Sequence, residues 1–588
     1  QPTLRPPGDL AQLDDLALVR LQRSDNDWLA RQSRRVLADR VAAGVRVEAA
    51  QTEAQRMLVG PAQPVHRLRA LWTLHLTAGL GDGQLAALLD DRDEHIRIWA
   101  IRLLTDDRAS VPPTAIIERL VRLASTEPSA LVRLALASAL QRLPDEARAQ
   151  LASPLLARGE DASDHNIPLM LWYGIEPLVR AQVPAFSFEV MLAHAKMPRV
   201  QKLGARRIAE DIDTAPDRVD ALLTAIAEVD GLENRQAVLD GLAQSLSGRR
   251  NTPKPTHWDE LLPRLARRAN AALHTRIRDL SAMFGDPKAL AEIRDFALNS
   301  TADIIERRLA LEVLVATRGP GLREVCLQLI KTRRLASTAA AGLATFSDPM
   351  IAGVILAVWP ELDPLERASI LAALVSRLPW SAQVLDALEA GTLRKSDISV
   401  AQVRQMRAYQ DPVLTPRLVR HWGPARDESE KDRTGLIAAW TARFAPEKLA
   451  GANVSHGRVV FRNLCGACHT LNSEGGTLGP DLTGGARDNL NYLLENILFP
   501  SALVPDDYRL TTLTLKDGRA LVGMIRERSG STLKLKTMTD LISLSRADVA
   551  KEETSAASLM PPGLLDSLSG EEARDLITYL MSKSALPK

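Results

Sequence analysis

Through most of the first 445 positions, apolar residues recur every third or fourth place, the spacing of helices that bury one face. These segments are rich in Leu, Ala and Arg, and short breaks containing Pro, Gly or Asp separate them. The pattern predicts helices throughout this stretch. It changes near residues 445–455, where "FAPEKLAGANVSHG" brings Pro and Gly together and marks a linker or a new domain start. Farther on, apolar and polar residues alternate one by one across "YRLTTLTLKDGRALVGMIRERSGSTLKLKTMTDLISLSRADV", which predicts four short strands over about 508–546. "KDGR" at 516–519 is a hairpin signal, and "SGS" at 529–531 offers a second turn. A helical stripe returns in "LSGEEARDLITYLMS", with Ser569 as N-cap, Glu572 completing a capping box, and Leu576, Ile577 and Leu580 facing a core.

The helical part repeats itself. "DNDWLARQSRRVL" places Asp25 six residues before Arg31, "DRDEHIRIWAIRLL" places Asp91 before Arg97, and "EPSALVRLALASAL" places Glu127 before Arg133. In "VHRLRALWTLHL", Arg67 aligns with Arg97, so the marker arginines Arg31, Arg67, Arg97 and Arg133 lie 36, 30 and 36 residues apart. Helical units of this length that cannot bury their own apolar faces stack on their neighbours. The pattern resembles HEAT repeats and implies an α-solenoid over residues 1–445; an irregular helical domain is the alternative, because the spacing drifts after residue 200. The acid is expected to cap a helix N-terminus, and the arginine to bond carbonyls of the adjoining turn or the next repeat's acid. All nine tryptophans, Trp28 to Trp440, fall in this part and are expected to fill gaps between repeats.

Composition removes several function classes. Lys and Arg number 74 against 72 Asp and Glu, a balance that offers no bulk field for nucleic acid or an anionic membrane. No run of 18 apolar residues occurs, so no transmembrane segment is expected. "QPTLRPPGDL" has no basic region followed by an apolar one, so a signal peptide has been removed or the chain begins as a fragment. Of three cysteines, Cys326 in "REVCLQLI" sits on a helical apolar pattern and reads as a small buried hydrophobe.

The other two fall in "FRNLCGACHT", residues 461–470. C-x-x-C-H is the attachment motif of c-type haem: the Cys465 and Cys468 thiols add to the vinyl groups, and His469 ligates the iron. A zinc site needs a second ligand pair, and only His456 lies nearby; a redox C-x-x-C needs a βαβ context, and none precedes it. The motif therefore points to one covalent haem c.

The neighbouring residues resemble a class I cytochrome c. "HGRVVFRNLCGACH" is similar to the family's first helix, "GGTLGPDLTG" to its Gly-Pro-x-Leu loop, and "RDLITYL" to its last helix, which crosses the first near Gly457. The resemblance implies that the Pro480 carbonyl accepts the His469 N–H, that Leu482 packs on the haem, and that Met560 in "SLMPPGLLDSL" is the second iron ligand. Met524 and Met538 fall on expected strands, Met581 on the last helix, and His456 immediately before the first helix. His469 and Met560 are 91 positions apart, because a small β-module, about residues 508–550, is inserted between them. This arrangement, with "GPDLTGGARDNLNYLLENILFPSALVPDDYR", resembles the haem-binding C-terminal domains of planctomycete and verrucomicrobial secreted proteins. In that group HEAT-like repeats precede the cytochrome, and a sugar-dehydrogenase-like propeller, absent here, often precedes both. Phe499 stands where a polar residue is expected.

The expectation is a mainly α chain: a HEAT-like repeat domain at 1–445, and a cytochrome c domain at 446–588 containing the β-module. The implied function is that of a periplasmic electron-transfer subunit. A catalytic dehydrogenase subunit or propeller domain, oxidising a sugar or alcohol, would dock on the repeats, and a downstream acceptor would take the electrons. Two alternatives stay open: a self-contained dehydrogenase using Glu176, His165, Asn166 and His194, and a scaffold whose haem is structural.

Overall fold

A computed structural model describes residues 8–77, 79–106, 111–181, 183–249, 252–423, 430–502, 504–560 and 562–582. The chain forms two compact units, residues 1–245 with 255–277, and residues 246–254 with 278–588. Both are built mainly from helices, and among the described residues none is long and apolar enough to cross a membrane.

In the first unit most helices stack on the helix two places along. Pro64–Leu76, Glu94–Leu104, Ala130–Ala139, Ile167–Ile175 and Pro198–Glu210 follow one another in one layer. Thr114–Thr126 and Asp145–Leu156 pair in the other layer, as do Phe188–His194, Pro216–Glu228 and Trp258–Leu265 farther on. This stacking supplies the apolar partner that a lone amphipathic pair lacks.

The marker arginines bind the layer along its length. Arg67 donates to both Asp91 oxygens, at 3.0 and 2.5 Å; Arg97 does the same to Glu127 at 3.0 and 2.7 Å, and Arg133 to Asp161 at 2.6 and 2.5 Å. Each arginine thus reaches the next repeat's acid. Arg97 and Arg133 also donate to carbonyls of their own turn, Asp91 at 2.8 Å and Glu127 at 3.0 Å. Burial works to raise the Asp91 pKa, but the bonds from Arg67 and the Asp93 amide hold it below the usual carboxylate value.

Two details differ from the expectation. The helix caps are Asp93 and Ser129; Asp91 and Glu127 stand two residues earlier and accept the amides of those caps. Arg31 is exposed and pairs with Asp27 on its own helix, while Arg69 takes the carbonyls of the turn before that helix, Ser24 at 2.7 Å and Gln22 at 3.1 Å. Tryptophans do fill gaps between repeats, as Trp72 and Trp99 do edge-to-face at 4.9 Å, but Trp28 is 52% exposed.

In the second unit, Ile304–Thr317, Ala336–Leu343, Arg367–Val375 and Val400–Ala408 form one layer. Met350–Ala357, Leu378–Glu389 and Leu414–Trp422 belong to the other. Cys326 is fully buried in Leu322–Leu329, and burial pushes its thiol up to about 12.

Among the described residues, seven strands follow. β1 (Thr470–Leu471) and β2 (Glu474–Gly475) form a minimal hairpin, turned by Asn472 and Ser473, both at positive φ as a two-residue hairpin turn requires. β3 (Arg509–Leu515), β4 (Ala520–Arg528), β5 (Thr532–Lys536), β6 (Leu541–Ser545) and β7 (Val549–Ser558) make an antiparallel sheet in the order β6-β5-β4-β3-β7. "KDGR" joins β3 to β4, with Gly518 at φ +83°, and the "SGS" turn joins β4 to β5. β7 is a fifth strand, and it carries the sheet to residue 558. Its "VAKEETSAAS" has no apolar alternation, because it pairs with β3 alone at the sheet's edge.

Candidate haem-attachment site

The helix Val454–Leu464 is capped by the Asn453 side chain and buries Gly457, Val460 and Phe461. Those residues lie against Gly570–Met581, whose N-cap is Ser569 in a capping box with Glu572. The two helices approach so closely at Gly457 that a Cβ there would overlap the Asp575 carbonyl and come within 2.8 Å of Tyr579 Cβ. Only glycine permits this crossing. Phe461, Leu471, Leu494, Leu576, Ile577 and Leu580 fill the core around it.

Trp440 and Phe444 belong to this core, so Trp440 is no filler between repeats. Phe499 joins the core too, and the Arg433 guanidinium stacks over its ring at 5.2 Å. A polar residue at 499 would forgo that burial and the cation–π contact. Arg487 is buried and donates to the carbonyls of Leu580 and Ser582, both at 2.8 Å, which satisfies orphan acceptors at the end of the last helix.

Where Val454–Leu464 ends, the chain turns tightly. The Cys465 and Gly466 amides both donate to the Phe461 carbonyl, at 2.8 and 2.7 Å. The Cys468 and His469 amides both donate to the Cys465 carbonyl, at 3.0 and 2.9 Å. Cys465, Cys468 and His469 thereby occupy one turn, all three half-buried, and both thiols are free. Burial, with the neighbouring Cys468 adding to it, pushes the Cys465 thiol up to about 12; burial also raises Cys468.

The loop after the turn folds back beneath the imidazole. Backbone bonds Gly476 to Gly466 (2.8 Å), Gly479 to Cys468 (2.7 Å) and Leu482 to Thr470 (2.8 Å) hold it there. His469 Nδ1 lies 2.9 Å from the Pro480 carbonyl. A carbonyl only accepts, so Nδ1 carries the proton and the Nε2 lone pair is left for a ligand. Gly479 lies against the ring, where a Cβ would stand 2.6 Å from Cε1 and 2.8 Å from Nδ1. Leu482 packs at the margin of the core.

A second apolar cluster lies on the other side of the turn. Leu478, Leu510 and Met524 are buried there, with Cys468, Tyr508, Val522 and Leu559 packed against them. Leu559 precedes Met560, so the cluster brings the methionine segment to the thiol turn. Met560 itself is half-buried. Met524 on β4 is 1% exposed, and apolar packing accounts for it. Met538 stands in the turn between β5 and β6, exposed, and not on a strand. Pro561, next to Met560, lies outside the described residues.

The remaining candidates have structural partners. His456 Nδ1 lies 2.9 Å from Asp575, a fully buried carboxylate that also accepts the Asn453 amide at 2.9 Å. Burial tends to raise the Asp575 pKa, but the bonds from His456 and the Asn453 amide outweigh it and lower the value. Glu176 accepts from Arg207 at 3.0 Å, and the His194 ring bonds the Val190 carbonyl at 2.9 Å. The amides of Asn166 and Ile167 both donate to Asp164 at 2.8 Å. The Asp164, Glu176 and His194 bonds are caps and repeat links, as in the rest of the array.

Sequence reasoning missed a set of contacts between the sheet and the helices of the second unit. The Arg377 guanidinium donates to the Asp517 carbonyl at 2.7 Å, Arg318 pairs with the Asp517 carboxylate at 2.7 Å, and Arg249 donates to Ser531 at 2.8 Å. Gln405 donates to the Ala520 carbonyl at 2.7 Å, and the Ala520 amide donates to the Ser376 carbonyl at 2.8 Å. Arg318, Ser376 and Arg377 follow the C-terminal ends of Ile304–Thr317 and Arg367–Val375, so the sheet meets two helix ends of one layer, together with Gln405 on Val400–Ala408 and Arg249. No periodicity announces such contacts.

The residues present fit a c-type haem: two free thiols in one turn, an imidazole with its Nδ1 proton engaged, and a thioether segment drawn to the same turn. No protein-family model and no curated protein matches the chain. Among solved structures, one described as Kap121p bound to Ste12p is similar, at 14% identity and a TM-score of 0.46. The match covers 86% of this chain and 58% of that one, so this chain spans less than two thirds of its length.

Proposed function

We propose that this chain is a periplasmic electron-transfer subunit holding one covalent haem c in a class I-like cytochrome domain that follows a HEAT-like array. The observation that carries the reading is the His469–Pro480 bond at 2.9 Å, formed inside a C-x-x-C-H turn with both thiols free. Haem c, when bound, supplies a one-electron couple.

The chain's own residues have distinct tasks. Cys465 and Cys468 would anchor the porphyrin through thioethers, and His469 would present Nε2 to the iron. Pro480 fixes the ring's tautomer and orientation, and makes the imidazole a better donor. Gly479 admits the loop to the imidazole, while Leu478 and Leu482 would keep water from the porphyrin. Met560 would offer its sulfur as the second iron ligand, and ligation by Met and His raises the potential of a haem. A dehydrogenase that oxidises a sugar or alcohol docks on the helical array and supplies the electrons, and a respiratory acceptor removes them.

The test uses protein made in a host that matures c-type cytochromes. Its reduced spectrum should survive acid-acetone extraction. Met560→Ala should abolish the weak far-red sulfur-to-iron band of the ferric protein, and Met524→Leu should retain it. A band unchanged in Met560→Ala contradicts the axial assignment. Turnover of a sugar or alcohol by this chain alone, with an artificial acceptor, contradicts the carrier reading and favours a self-contained dehydrogenase.

A further inference from the structure

Met560 has no secondary structure of its own: β7 ends at Ser558, and residues 559 and 560 form a bend. Leu559 packs against the Leu478, Leu510 and Met524 cluster, Ser558 pairs with Arg509 on β3, and a few polar ties add to these. The Met560 amide donates to the Ser558 hydroxyl at 3.1 Å, a bond internal to the segment. The Ser558 amide donates to the Ser501 hydroxyl at 3.2 Å, a tie to the turn after the helix Leu490–Leu498. A further tie comes from the helical array. Arg404, on Val400–Ala408, donates to the Ser558 carbonyl and, at 3.4 Å, to the Met560 carbonyl.

Arg404, Gln405 and Leu559 line a cavity of about 390 Å³ between the helices and the sheet. At its margin the Arg404 guanidinium reaches from Val400–Ala408 to the methionine segment. Arginine suits the task because its fork carries several donors in fixed geometry and can reach two carbonyls at once; an ammonium on a flexible stem is a single point. Gln405, one residue along, also bonds the β-module, but at Ala520 on β4 and not at the methionine segment.

We propose that Arg404 is a positioning residue for the second iron ligand: by clamping the carbonyls on either side of Leu559 it fixes where Met560 presents its sulfur. The helical array then acts on the haem as well as on a docked partner, since the helix bearing Arg404 belongs to the array. This rests on the reading of Met560 as the axial ligand.

The test compares haem-loaded wild type, Arg404→Ala, Arg404→Lys and Gln405→Ala by the ferric sulfur-to-iron band and by the midpoint potential. Covalent haem content and far-ultraviolet circular dichroism are measured alongside. Arg404→Ala should lose most of the band and fall in potential, with haem content and helicity kept. Arg404→Lys should fall between Arg404→Ala and wild type, and Gln405→Ala should keep both band and potential. The proposal is overturned if Arg404→Ala matches wild type in both readouts. It is also overturned if Gln405→Ala loses as much, since loosening the sheet anywhere would then suffice. Should Arg404→Ala not accumulate, Arg404→Lys decides: a weakened band supports the clamp and an unchanged one refutes it. A wild type with covalent haem but no band marks failure of the Met560 assignment itself, and this proposal goes with it.

Discussion

The two sides of the candidate attachment site differ in how far their ties reach. On the His469 side most ties lie close in sequence: the turn from Phe461 to His469, the loop to Leu482, and the Pro480 carbonyl eleven residues from the ring it holds; Arg526, which donates to the Leu478 carbonyl at 3.3 Å, reaches in from farther off. On the Met560 side they come from Arg509, which pairs with Ser558, from Ser501, 57 residues from Ser558, and from Arg404, 156 residues from Met560. A locally closed loop needs little chain entropy to form and can be rebuilt wherever the motif occurs. A segment held from afar takes its geometry from the rest of the protein. On the proposed reading, the motif sets the first iron ligand and the wider architecture places the second.

The largest expected effect removes what both sides share. Gly457→Ala forces apart the crossing of Val454–Leu464 and Gly570–Met581, because its Cβ meets the Asp575 backbone and the Tyr579 side chain. Overpacking of this kind costs about 1–3 kcal/mol. Denaturant unfolding of the haem-loaded protein should show that loss, with both axial ligands disturbed together.

A smaller change separates the sides. Gly479→Ala places a methyl group against the His469 ring and pushes it from the Pro480 carbonyl. The loss of one such hydrogen bond is worth about 1 kcal/mol. Resonance Raman or NMR of the histidine should shift, while Arg404's hold on the Met560 segment stays intact. Equal disturbance on both sides would show that they are not independent.

The smallest effect is one that acid removes. The pKa of Asp575 is lowered in the folded state, so its contribution is complete above the unfolded-state value and is lost as pH falls through the folded one. Wild type and Asp575→Asn should therefore differ in stability at neutral pH, and that difference should shrink below about pH 4. A difference that is constant with pH would remove the charged His456–Asp575 contact from the account.

Legibility in the sequence follows the same division. The bond between His469 in "CGACH" and Pro480 in "GPDL" was readable because its geometry depends on near neighbours at fixed spacing, and the Ser569–Glu572 capping box for the same reason. The arginines Arg67, Arg97 and Arg133 were readable because one contact recurs with the repeat. Arg31 broke the series because Arg69 takes the turn carbonyls before its helix, a contact that does not recur with the repeat. β7 escaped notice because hydrogen bonds to β3 hold it at the sheet's edge without an apolar face. The place of Trp440 in the C-terminal core, and Arg404's reach to two carbonyls, are single long-range contacts. Such contacts leave no pattern in a sequence.

Covalent attachment at one turn is the central claim, and intact mass spectrometry tests it most directly. Protein matured in a c-type host should be heavier than its polypeptide by one haem, and the variant carrying both Cys465→Ala and Cys468→Ala should have the bare polypeptide mass. A wild type with the bare mass under those conditions, or a double variant that still carries the added mass, would contradict the account.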